Sequence, residues 1–365
     1  MIKGSTNKGD WSEFYVLLYL IATRRLYAAD INLNKAATFY FPIIKILRDE
    51  KINKRTVDHI EYQISNDGVD IYVNSTLTKR IMRQEVQNEI TKLRVDISSG
   101  KGNKITIPHG EAFLNYIFLT RLAAPQSEIA DIKMEVHDTY TGINQEMGFS
   151  IKSYMGGAPT LLNASEATNF IYEITGISTL QMSYVNAIND KFGKIKKRLK
   201  QIEEFGGTLK YVKTANKIFS ENLTMIDSFM EKILSEMLLY SYQKGEQNCM
   251  KVLDYMEKNN PVNYPREGLY IYKFKKFLCA KALGMEPSRK WTGIDQANGG
   301  YIVVKSDGDV VAFHLFNRDV FETYLLNNTY FERGSTSRHK FAEIYEEEGR
   351  MYIKLNLQIR FYNNR

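Results

Sequence analysis

Gly148-Phe149-Ser150-Ile151-Lys152-Ser153 is the stretch on which the reading of the fold turns. Apolar and polar residues alternate in it, the period of a strand with one buried face. Phe149 and Ile151 therefore point to one side, Ser150 and Lys152 to the other. Upstream, Asp131 to His137 alternates in the same way. His137-Asp138 then leads into a turn containing Gly142, so the two segments read as neighbouring strands with Lys152 expected beside Asp138. A lysine on an otherwise buried strand is costly to desolvate, which favours a pocket with acids in it over a plain core.

Working outward, Asn169 to Ile174 reads as a third strand of the same sheet core. Before it, Asp10-Trp11-Ser12-Glu13 opens a helix with Asp10 as the expected N-cap and Phe14, Leu17, Leu18 and Ile21 on one face. Tyr40 to Leu47, His59 to Ile64 and Val69 to Val73 read as strands, the last two joined by the turn Asn66-Asp67-Gly68. Helices are expected over Leu77 to Val95 and Glu111 to Leu122, and almost throughout residues 178–283. From Tyr301 the chain returns to β, with a hairpin about Ser306-Asp307-Gly308-Asp309 and alternating segments at Ala342 to Tyr345 and Met351 to Phe361. The expectation is an α/β (α+β) chain: a mixed central sheet flanked by helices in residues 1–177, a helical insertion with a basic face in 178–285, and a β-rich C-terminal portion in 286–365.

Composition narrows the function classes. The 365 residues are 44% hydrophobic and 25% charged, an ordinary globular balance that excludes collagen-like and disordered chains. The longest apolar run, Phe14 to Ala22, has nine residues, far short of the ~20 that span a bilayer. With a polar start lacking a secretory centre, the expectation is a cytoplasmic protein with no membrane span. Cys249 and Cys279 form no paired motif, so neither a disulfide framework nor a zinc site is encoded. Lys plus Arg (49) exceed Asp plus Glu (42), and Lys191, Lys194, Lys196, Lys197, Arg198 and Lys200 fall in one short run. Such a face attracts phosphate, although a solvated helix face explains this run equally well.

Hydrolysing a phosphodiester takes a divalent cation to neutralise developing charge, carboxylates to hold it, and a cation such as lysine beside the attacking water. Asp138 and Lys152 supply two of these groups in a layout that resembles the PD-(D/E)xK nucleases. Ser150 stands where that pattern has its middle acid, so another carboxylate must take its place. Glu13 fits the acid many such nucleases carry on the helix before the sheet. Glu166, fourteen residues beyond Lys152, resembles the displaced acid of restriction enzymes that keep a Ser-x-Lys strand. The expected metal set is Asp138, Glu13 and Glu166, with Mg2+ as cofactor.

A wider set of blocks resembles the HpaII family of type II restriction endonucleases. It comprises Lys8-Gly9-Asp10-Trp11-Ser12-Glu13, Leu26-Tyr27-Ala28-Ala29-Asp30, the Gly148 to Ser153 strand, Thr160-Leu161-Leu162-Asn163-Ala164-Ser165, Ser335-Thr336-Ser337-Arg338-His339 and Leu355-Asn356-Leu357-Gln358-Ile359-Arg360-Phe361. The resemblance implies a magnesium-dependent nuclease that cuts both strands of DNA at a short palindrome, CCGG for the family's namesake, partnered by a protecting methyltransferase. Asn163, Ser165 and Asn169 are candidates for phosphate or base-edge contacts, and Arg338 and His339 for guanine. Gln358 and Arg360 share a strand face that could line a DNA cleft. Turn chemistry and a solvent-facing edge explain these residues too. Palindromic recognition favours a homodimer, and a monomer that nicks each strand in turn stays open beside it. Two other readings stay open: a repair or modification-dependent nuclease, and a DNA-binding protein on a degenerate nuclease core.

Overall fold

A computed structural model describes residues 5–51, 57–123, 130–139, 141–314 and 317–363. In chain order the first elements are β1 (Thr6–Asn7), α1 (Lys8–Thr23), β2 (Arg25–Ala29), β3 (Lys35–Lys51), β4 (Val57–Ile64), β5 (Gly68–Val73), β6 (Thr76–Met82), α2 (Arg83–Ser99), β7 (Lys104–Ile105), α3 (Pro108–Tyr116), β8 (Ile132–His137) and β9 (Asn144–Ser153). Next come β10 (Thr160–Leu162), β11 (Asn169–Thr175), α4 (Thr179–Ala187), α5 (Lys194–Glu204), β12 (Thr208–Thr214), α6 (Lys217–Ile226), α7 (Met230–Lys244), α8 (Cys249–Asn259) and α9 (Leu269–Ala282). The chain closes with β13 (Gly300–Val304), β14 (Val310–His314), α10 (Arg318–Asn328), β15 (Thr329–Phe331), α11 (Thr336–His339), β16 (Ile344–Glu347), β17 (Arg350–Asn356) and β18 (Ile359–Phe361).

Two compact units result, the first formed by Met1–Pro159, Asp295–Phe321 and Asn363–Arg365, the second by Thr160–Ile294 and Glu322–Tyr362. The sequence boundaries expected near 177 and 285 both fall inside the second unit.

The first unit is built on a mixed sheet ordered β2-β14-β13-β9-β8-β3-β4-β5-β6, and pairing of β2 with β3 closes six of these strands into a barrel. The expected flanked sheet thus curls onto itself. Closure pairs the edge that an open sheet would leave at β2, and β6 remains the sheet's edge. The helix α1 contributes Trp11, Phe14, Leu17, Leu18 and Ile21 to the same core as Phe149, Ile151 and Ile302. Its cap position is Asn7 rather than Asp10, which lies in the first turn, and no side chain caps the helix. Tyr15 donates to the Gly308 carbonyl at 2.7 Å, tying α1 to the β13–β14 turn.

Several elements differ from the sequence expectation for local reasons. Leu77 to Met82 is strand, not helix, because Asn74 and Ser75 both take positive φ (50° and 66°) and turn the chain back along β5. The helix expected to reach Leu122 stops at Tyr116, and Phe118 is left-handed at φ 66°. Within the long helical stretch, β12 pairs with β11. The third strand, β11, does not join β8 and β9; it belongs to a four-stranded sheet of the second unit, β12-β11-β17-β16. Alternation dictates which face a strand buries and leaves its neighbour open. No helix among the described residues is long and apolar enough to cross a membrane.

Candidate functional site

The strand β9 lies between β8, antiparallel to it, and β13, parallel to it. Its faces divide as the alternation predicts. Phe149 and Ile151 enter the core with α1, while Ser150 and Lys152 align with Tyr301 and Val303 on the other side. Tyr301 is buried there against Phe321, and burial raises its phenol well above its usual range, so it stays neutral.

The structure does not bring Asp138 beside Lys152. Asp138 donates its N–H to the Ile143 carbonyl at 3.0 Å, which places it at the turn end of the hairpin. Lys152 lies nine residues further along β9, roughly 30 Å at ~3.4 Å per residue. The Asp138 carboxylate accepts from Thr141 Oγ1 at 2.9 Å and its carbonyl from Gly142 N–H at 2.8 Å, so it braces the turn.

The acid at the other end is Asp131. Its N–H donates to the Phe149 carbonyl at 2.9 Å. Its Oδ2 accepts from Ser150 Oγ at 3.2 Å and from Ile151 N–H at 2.6 Å, and Oδ1 carries no hydrogen bond among the described residues. A carboxylate, a hydroxyl and, two residues on along the same face, a half-buried lysine are thereby gathered on adjacent strands. Sequence reading passed over Asp131, although counting equally outward from the 138–143 turn pairs it with residue 150.

Glu13 is half-buried on α1, whose Lys8 stem packs within 3.0 Å of the Cβ position of Gly156, just beyond Lys152. Glu166 lies in the second unit, exposed and bound to Lys340 at 2.9 Å; that partner holds its carboxyl below the usual range. Glu146, on β9, is paired with Glu135 on β8. Among the described residues no cluster of three or more His, Cys, Asp or Glu is placed to hold a metal. One carboxylate with a spare oxygen beside a hydroxyl still suits Mg2+, which keeps several waters and takes phosphate oxygens from its substrate.

In the second unit, the residues expected to touch DNA gather around the buried amide of Asn356. Its Nδ2 donates to the Ser165 carbonyl at 2.8 Å and to Asn169 Oδ1 at 2.7 Å, and Asn169 Nδ2 donates to the His339 carbonyl at 3.0 Å. Gln358 and Arg360 both bind Glu332, at 2.7 and 2.9 Å. Asn163 and Arg338 are exposed and His339 half-buried. The basic run is divided in use: Arg198 is buried, donating to the carbonyls of Ile188, Asn186 and Ala342, and Lys197 pairs with Asp190 at 2.5 Å.

Residues 7–361 match the HpaII restriction endonuclease family. The chain belongs to the HpaII restriction endonuclease family. It is 39% identical over 361 residues to the type II restriction enzyme HpaII of Haemophilus parainfluenzae, covering 98% of each chain. No solved structure matches. As a member of that family the chain is a type II restriction enzyme, hence a nuclease and a hydrolase of a restriction system. The departure from the acid pattern at Ser150 is therefore a feature of this nuclease chain.

Proposed function

We propose that this HpaII-family enzyme cuts both strands of DNA at a short palindrome, CCGG by analogy with its relative, through Mg2+-dependent hydrolysis on a PD-(D/E)xK-like arrangement in which Asp131 takes the place expected of Asp138. The observation that carries the reading is the Asp131 carboxylate bound to Ser150 Oγ and Ile151 N–H on the strand that bears Lys152.

Ser150 and the Ile151 amide fix one oxygen of Asp131, which points the other outward as a hard oxygen ligand. When bound, magnesium neutralises the negative charge that builds on the phosphate during displacement. Lys152 places an ammonium beside the scissile phosphate, where it orients the attacking water and donates to the non-bridging oxygens. Ser150 is a hydroxyl where the PD-(D/E)xK pattern has its middle acid, so the second carboxylate comes from outside the strand. Glu13 is the residue proposed for it. Arg338 and His339 offer the donors a G·C-only site needs, and a two-fold site suits a pair of chains. A methyltransferase of the same specificity would shield host DNA.

Digestion of unmethylated phage DNA with and without magnesium, followed by end sequencing, tests the reading. Discrete fragments ending in one palindrome are expected only with metal. Intact DNA that the protein still shifts on a gel would move the assignment to a binding-only protein.

A further inference from the structure

A cavity of about 550 Å³ in the second unit is walled by the start of α5 and by the segment leading into α11. Lys191, Lys194, Lys196 and Arg333 line it, together with the hydroxyl-bearing Ser335 and Thr336. The contacts of these four cations are all with neutral groups. Lys194 Nζ donates to Thr336 Oγ1 at 3.2 Å and Lys196 Nζ to the Lys244 carbonyl at 2.8 Å. Lys191 lies over the Phe192 ring at 5.6 Å. Arg333 stacks 4.0 Å over Tyr242, and its Nη2 donates to the Ser241 carbonyl and hydroxyl at 2.7 and 2.9 Å.

Several cations elsewhere in this unit are paired with carboxylates, Lys276 with Glu322, Lys281 with Glu286, Lys340 with Glu166 and Arg360 with Glu332, while Lys354 lies over the Tyr345 ring. Asp190, the one acid among the described residues lining the cavity, is bound to Lys197. Four positive charges around one space whose single acid is already paired with Lys197 repel each other, and the cost is greatest for Arg333, whose Nη1 is shut away from solvent without a hydrogen-bond partner. The helix α5 adds to the field. It begins after Gly193 at φ 70° with no side-chain cap, so the first-turn N–H groups of Lys194 to Lys196 are left for a ligand.

We propose that this cavity is a phosphate site that holds a backbone phosphate of the DNA. Hydroxyls, ammoniums and first-turn amides suit a tetrahedral oxyanion, and the space exceeds one phosphate, leaving room for the adjoining sugars. Ser335 and Thr336 run directly into α11, which carries Arg338 and His339, so a strand anchored here has bases next to the residues assigned to reading them. The choice of DNA as the source rests on the restriction-enzyme reading.

The test measures DNA affinity of the full chain between 50 and 400 mM salt, with calcium replacing magnesium to suppress cutting. The variant is Lys191→Gln/Lys196→Gln, both exposed side chains, so the fold is spared. The log–log salt dependence should become shallower by about 1–2, and binding should weaken equally on cognate and random duplexes. An unchanged slope in the variant, with a wild type that cuts phage DNA, overturns the DNA-phosphate site and leaves the restriction reading standing. A wild type that neither cuts nor binds DNA overturns both. Melting with inorganic phosphate against chloride at matched ionic strength separates the sources: phosphate protection lost in the variant, with an unchanged DNA slope, assigns the cavity to a free anion and overturns the DNA assignment.

Discussion

The polar groups around Asp131 and those around Asn356 differ in how much of their bonding capacity is already used. Asp131 keeps one carboxylate oxygen uncommitted, beside a hydroxyl and a half-buried lysine. Around Asn356, amides, carbonyls, Glu332 and Arg360 are bonded to one another, and Asn356 Oδ1, which has no hydrogen-bond partner among the described residues, is shut away from solvent. A side chain can act on a substrate only with the capacity its own fold leaves over. The first cluster is therefore suited to chemistry and the second to holding a shape from which a few exposed groups, Arg338 among them, reach out.

The sharpest way to break this comparison is to remove the spare oxygen. Asp131→Ala should lower the single-turnover cutting rate by about 10³-fold or more, on the order of 4 kcal/mol of transition-state stabilisation, with DNA affinity in calcium nearly unchanged. Cutting that survives within tenfold would move the chemistry away from the hairpin's open end. A smaller effect of a different kind is expected in the second cluster. Asn356→Ala strands the buried Asn169 side-chain oxygen, while the Ser165 carbonyl keeps its Thr168 donors, so urea unfolding should show a loss of about 1–3 kcal/mol. A change in cutting rate without that loss of stability would mean that Asn356 acts on DNA itself. The smallest effect is expected from Asp138→Asn, which keeps the turn's shape and should leave the cutting rate within about twofold. A loss comparable to that of Asp131→Ala would restore the turn end of the hairpin as the reacting end.

Much of this was legible in the sequence, and the failures share one cause. The division of faces along Phe149 to Lys152, the β13–β14 hairpin and the β4–β5 turn follow from alternation and turn residues, which are local. Asp131 was passed over because proximity in sequence to the turn was taken for proximity in space to Lys152. In an antiparallel hairpin the opposite holds, and the residue far before the turn meets the residue far after it. The place of β11 in a separate sheet, and the pairing of Gln358 and Arg360 with Glu332, depend on partners distant in the chain and leave no mark on local pattern. Arg198 shows the same limit: within a run of lysines it reads as surface charge, yet three backbone carbonyls take it inside.

Closure of the barrel has a kinetic consequence. β9 is bonded to β8 over Asn144 to Phe149 and to β13 over Phe149 to Ser153, and the ring that contains it is completed by β2 and β3, so Ser150 and Lys152 are carried by the parallel β9–β13 ladder. Amide hydrogens held in that ladder trade with solvent when β13 parts from β9, so slow exchange over residues 150–153 would report how firmly Ser150 and Lys152 are kept in register from one turnover to the next.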